Sequence, residues 1–190
     1  MILLLALLAG GVVGWFVASW EKRPWQLPPL KYAWLAVIAY IPQWIAIYLP
    51  ATRFRISDDW AAACVISSQL LLLLFCWPNR RIPGIVLLVL GLSANLLVIS
   101  ANQGFMPISP EIAGKLVSPE ILQTIPLGSR FGWKDILLLP ETTHLVFLSD
   151  RILLPDWLAY QVAFSFGDIL LAAGAYWAMA AAPLIGQKVI

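Results

Sequence analysis

The stretch WLAYQVAFSFGDILLAAGAYWAMAAAPL, residues 157 to 184, decides how this chain is read. As one helix it is long and apolar enough to cross a hydrocarbon core of about 30 Å. Asp168 is the only charged residue inside it. A carboxylate at the centre of such a span costs about 2.5–3.5 kcal/mol on insertion scales, so a partner, a water-filled cavity or a proton has to compensate. On that helix Gln161, Ser165 and Asp168 follow one another at i, i+4 and i+7 and share a face that continues through Ala172.

Other apolar runs carry polar groups to match. Asn95 and Asn102 lie seven residues apart in one, with Ser93 and Ser100 nearby, and Ser67, Ser68 and Gln69 sit near the middle of another. Lipid satisfies none of these groups, so they must face each other or a cavity. The expectation is a polar seam between the third, fourth and fifth helices, with Asp168 largely buried and within reach of Asn95 or Asn102. Such a seam is a hydrogen-bonded core that fixes packing, a ligand or proton site, or a contact to another subunit.

Composition points the same way. The 190 residues are 61% hydrophobic and 12% charged, against about 45–50% and about 25% in soluble domains. A net charge of +2, thinly spread, excludes a nucleic-acid footprint. Trp20, Trp25, Trp60, Trp77 and Trp157 mark the ends of apolar runs, as an interfacial belt does. The fold class expected is an all-α membrane protein, one domain over 1–190. It is a bundle of five transmembrane helices at about 2–20, 32–49, 60–77 (closed by Pro78), 84–101 and 157–184. The first run lacks a basic leader and reads as a retained helix, not a cleaved signal. Cys64 and Cys76 share one helix, about 18 Å apart, too far to bridge.

In the short connections Lys22, Arg23, Lys31, Arg80 and Arg81 stand against Arg53 and Arg55. This bias puts the N-terminus outside and the C-terminus in the cytoplasm. The long connection 102–156 is then external, built of short, partly interfacial helices. Ser109-Pro110-Glu111 and Ser118-Pro119-Glu120 each read as a helix start, opening about two turns. The apolar stretch 136–154, broken by Pro140, reads as interfacial or re-entrant. Within it His144 is a surface or interfacial residue, and Asp150 and Arg151 are solvated charges, a local ion pair, or a pair of which one member reaches Asp168.

Ala6, Gly10, Gly14 and Ala18 recur every four residues on the first helix. This small-residue stripe lets another backbone approach closely, inside the monomer or in a neighbouring subunit. Asn102-Gln103-Gly104-Phe105-Met106-Pro107 closes the fourth helix: Asn102 caps carbonyls, Gly104 permits a positive φ and Pro107 blocks continuation. No metalloprotease, nucleophile-elbow or phosphate-loop motif occurs, and a lone histidine gives no histidine-rich metal site.

The glycine-bearing first helix, this Asn102–Pro107 turn, the segment Thr143 to Asp150 and Ser165-Phe166-Gly167-Asp168 together resemble a family. It is an uncharacterised bacterial family of small polytopic membrane proteins, a domain of unknown function with N-x-G-x-M-P, F-L-x-D and S-x-G-D motifs. That family usually has Gly where Gln103 and Ser149 stand here. The resemblance implies a retained first helix and treats Asn102, Asp150 and Asp168 as one constellation. It implies no activity.

The function expected is that of a multi-pass protein of the bacterial cytoplasmic membrane. It is a non-enzymatic accessory or scaffold subunit of a larger complex of respiratory or photosynthetic type, with lipids and protein subunits as partners. The alternative is a small transporter, channel or lipid- or small-ligand-binding protein using a polar cavity around Asp168. No motif encodes a cofactor or metal; a bound lipid, or a pigment in a photosynthetic complex, is compatible with the sequence.

Overall fold

The computed structural model of the chain describes residues 2–49, 55–155, 157–158 and 161–185. Arg53, one of the basic residues in the short connections, lies outside them. The chain is mostly helical. The long helices are α1 (Ile2–Trp20), α2 (Ala33–Gln43, extended by a π-turn over Trp44–Tyr48), α3 (Asp58–Asn79) and α4 (Ile85–Ala101). Two short helices, α5 (Pro110–Ala113) and α6 (Pro119–Gln123), precede the last long helix, α7 (Phe166–Ala180), and a final turn, α8 (Ala182–Ile185). Among the described residues, only α1 and α3 are long and apolar enough to cross a membrane by length and composition. α4, with 17 residues, and α7, with 15, are about 25 and 22 Å long.

The expected helix 157–184 is the main correction. The described residues of its first third, 157–158 and 161–165, are not helical. Ala163–Phe164 forms a strand, β5, antiparallel to β4 (Ile152–Leu153), and Ser165 is still extended at φ −98° and ψ 170°. The helix starts one residue later because Ser165 and Asp168 form a capping box, which satisfies two of the backbone N–H groups that a helix start leaves free. Asp168 therefore sits in the first turn of α7 and not at mid-span. Gln161, Ser165 and Asp168 do not share a helical face. α3 also differs from expectation, running through Pro78 to Asn79. There the Asn79 amide donates to the Phe75 carbonyl at 2.9 Å and exchanges two hydrogen bonds with the Lys31 backbone, at 2.7 and 2.9 Å.

The principal helix contacts run in a row, α2 to α3 to α4 to α7 to α1. Glycines set the spacing around α7. A Cβ on Gly91 would lie 2.6 Å from the Gly167 carbonyl oxygen, and one on Gly174 would lie 2.6 Å from that of Gly84. The pairs 84/91 and 167/174, each seven apart, thus interlock α4 and α7 in antiparallel fashion. On the other side of α7, Gly10 and Gly14 of α1 abut the Tyr176 and Met179 carbonyls. The small-residue stripe on α1 is consequently used within the monomer. A row is an open shape: the surface of 11507 Å² exceeds the roughly 9,000 Å² of a compact monomer of this mass.

The segment between α4 and α7 is not all helix. β1 (Met106–Ile108) pairs in parallel with β3 (Asp135–Leu137), which pairs antiparallel with β2 (Arg130–Phe131). The reason lies in burial: Phe105, Met106, Ile108, Ile136 and Leu137 are each at most 2% exposed, and a short sheet lets their backbone groups pair while their side chains form a core. α5 and α6, at four and five residues, are about one turn each, half the expected length, although Pro opens both and Ser109 caps the first. The 3₁₀ turn Val146–Leu148 packs on α4 and α7 and exposes Leu145, Val146 and Phe147.

Candidate functional site

The start of α7 builds the site. The Ser165 hydroxyl accepts from the Asp168 N–H, and the Asp168 carboxylate accepts from the Ser165 N–H, both at 3.1 Å. Asn95 on α4 closes the group: its amide donates to Asp168 Oδ1 and its carbonyl accepts from the Ser165 hydroxyl, again both at 3.1 Å. Gly167 lies directly under Asn95, where any Cβ would collide with Asn95 Oδ1. Asn95 and Ser165 are buried, at 3% and 0% exposed; Asp168 is only half-buried.

The outer side of Asp168 borders a pocket of about 210 Å³. Lys134 shares the pocket with it, and Ile2, Leu3, Phe164 and Leu171 make most of the remainder apolar. Lys134 Nζ lies 3.9 Å from Asp150 Oδ2, a loose pair in which the Asp150 side chain is 2% exposed. Asp135 follows Lys134 at the start of β3. Among the described residues, Asp135 Oδ1 and Asp150 Oδ1 are buried with no hydrogen-bond partner.

The charges are unbalanced: three carboxylates surround one ammonium. Burial pushes the Asp135 carboxyl up to about 6, with Lys134 opposing and Asp168 adding to the rise. Burial likewise holds Asp150 well above the usual carboxylate range against the pull of Lys134. For Lys134 burial acts to lower the value, but Asp150, Asp168 and Asp135 together outweigh it and raise it. Lys134 is charged at any physiological pH. Among the described residues no group of three His, Cys, Asp or Glu could hold a metal ion.

The expected seam is divided. Asn95, Ser165 and Asp168 form one unit. Asn102 forms another, donating to the Val98 carbonyl at 2.7 Å and exchanging two hydrogen bonds with the His144 backbone, at 2.9 and 3.0 Å. Ser68 Oγ and Gln69 Oε1 are buried without partners. Gln161 turns back on its own loop, donating to the Pro155 and Leu158 carbonyls. Arg151 is exposed, and the cation beside Asp150 is Lys134. Lys134 and Asp135 escape sequence reasoning; their one local signal is a charged pair opening the apolar run Ile136–Leu139.

A family model described as a family of unknown function (DUF5317) matches residues 28–180. The chain belongs to DUF5317. Neither curated proteins nor solved structures supply a match. The DUF5317 match begins after α1, so the glycine-bearing first helix lies outside it. The other three stretches that prompted the resemblance fall inside it, and each has a structural role. In Asn102–Pro107, Asn102 clasps the His144 backbone and Gly104, at φ 84°, lies against Ala62. At the end of Phe147–Asp150, the Asp150 N–H donates to the Pro107 carbonyl at 3.1 Å, joining this stretch to the last. In Ser165–Asp168, Ser caps, Gly admits Asn95 and Asp faces the pocket.

Proposed function

We propose that this DUF5317 member is a non-enzymatic integral membrane protein that holds a small ligand in the pocket between Lys134 and Asp168. The observation that carries this reading is a pair of opposite charges facing one mainly apolar space, beside two buried carboxylate oxygens without partners. Pockets of this kind, apolar with a few convergent polar groups, are the usual form of small-molecule sites.

In this reading all five long helices cross the bacterial cytoplasmic membrane. α2 with its π-turn, α4 and α7 do so by local thinning of the bilayer, at fractions of a kcal/mol per Å of mismatch. Exposed apolar side chains on every one of them support this, among them Val37, Val86, Leu90, Leu97 and Trp177. So do Trp20, Trp60 and Trp77, exposed at helix ends. Ile2, Lys134 and Asp168 line one pocket, so the starts of α1 and α7 lie at the same end as the segment between α4 and α7. With the basic residues biased to the opposite loops, that end faces outward.

The test is native mass spectrometry of the protein released from its own membrane. The expected result is a bound small molecule in the wild type that Asp168→Asn loses while remaining folded. An unliganded wild-type protein, or identical adducts on both, overturns the reading. The accessory-subunit reading is kept because the open row of helices exposes about 28% more surface than a compact monomer. Stoichiometric co-purification of larger subunits, with the pocket empty, would decide for it.

A further inference from the structure

We infer that the pocket takes a monovalent organic ammonium with a short aliphatic part, an amine rather than an acid or a metal ion. This rests on the reading of the pocket as a ligand site and names the class of ligand.

Charge decides the sign. Lys134 is the sole cation in the cluster and is paired, at 3.9 Å, with Asp150. Asp168 and Asp135 remain as the anionic excess, and of these Asp168 faces the pocket. A helix N-terminus ordinarily attracts an anion, but here Asp168 itself occupies that position through the capping box. Its two oxygens each accept one hydrogen bond, from Asn95 and from the Ser165 backbone. Each keeps a further lone pair for a donor arriving from the pocket. An incoming carboxylate or phosphate would meet Asp168 at close range. The buried, unpartnered Asp135 Oδ1 adds negative potential from behind.

Chemistry and size decide the rest. The carboxylates are too dispersed to form a metal cage among the described residues. Ile2, Leu3 and Leu171 offer hydrocarbon contact, not further ligands. A space of about 210 Å³ equals roughly seven waters at about 30 Å³ each. It fits a short alkylammonium or the amine headgroup of a lipid.

The test uses the full chain in nanodiscs of phosphatidylglycerol alone, which carries no amine. Binding of hexylammonium, hexanol and hexanoate is measured by calorimetry. Hexylammonium is expected to bind saturably and hexanol and hexanoate not. Asp168→Asn should weaken hexylammonium about tenfold or more, with the helical circular-dichroism signal unchanged. Glu111→Gln removes an exposed carboxylate outside the pocket lining, so it should leave hexylammonium within about threefold of wild type. Equal loss in Glu111→Gln, or an unchanged Asp168→Asn, overturns the inference. Hexanoate binding with hexylammonium silent overturns the ammonium assignment but leaves the pocket standing. Silence of all three probes overturns the pocket reading itself. Nanodiscs containing phosphatidylethanolamine identify the source: competition with hexylammonium means a lipid headgroup, and its absence a free amine.

Discussion

Gly167→Ala is the most demanding perturbation of this architecture. The added methyl would collide with Asn95 Oδ1, lie 2.7 Å from Asn95 Cγ and lie 3.0 Å from the Gly91 carbonyl oxygen. Asn95 has to move, and its hydrogen bonds to Asp168 and Ser165 are lost with it. Interhelical hydrogen bonds in membranes are worth about 0.6–1.7 kcal/mol each, and overpacking adds about 1–3 kcal/mol. Against this, Ala is favoured over Gly within a helix by about 1 kcal/mol. The net expectation is a loss near 3 kcal/mol, read as a shift in the unfolding midpoint in mixed micelles. Gly11→Ala is the matched control, because its methyl meets only the flexible end of Met179 at 3.5 Å. It should stay within about 1 kcal/mol of wild type. If the two variants are equally stable, the close approach of α4 and α7 is wrong.

Asn102→Ala should destabilise by about 1–3 kcal/mol and raise hydrogen exchange at 144–148, because the clasp on the His144 backbone is gone. Lys134→Gln alone leaves Asp150 buried without its cation and should cost about 3–5 kcal/mol at pH 8. The loss should shrink as pH falls, because burial favours the protonated Asp150 carboxyl, and adding Asp150→Asn should restore most of it. Asp135 titrates near 6 when folded, above its ordinary value of 3.8. Since the folded state then binds the extra proton, stability should fall as pH rises from about 4 to 6 and level off above. Asp135→Asn should flatten that slope in a pH series of thermal unfolding.

The sequence made the helices legible because apolar runs of this length have few other solutions, and a partner for Asp168 in Asn95 or Asn102 followed from the need to satisfy these groups; the fold uses Asn95. Other features were legible but read differently. Ser165-x-x-Asp168 has the form of a capping box, yet inside an apolar run it passes for two positions on one helical face. The glycines at 84, 91, 167 and 174 repeat every seven residues on two helices, a signal as regular as the stripe on α1. The partnership of Lys134 with Asp150 and Asp168 was not legible. It depends on a three-stranded sheet of two- and three-residue strands, whose register no local pattern specifies, and which brings residue 134 beside the start of α7. Asn79 and Asn102 follow one rule that only the structure reveals: each ends a helix by pairing its amide with the backbone of a distant segment.

The most direct test of the pocket is an experimental structure of the protein in native lipid at a resolution that shows side chains. It should show non-protein density between Lys134 and Asp168, in contact with Leu171 and the start of α1. A pocket closed by direct contact of Lys134 Nζ with the Asp168 carboxylate, with no room left between them, would contradict it.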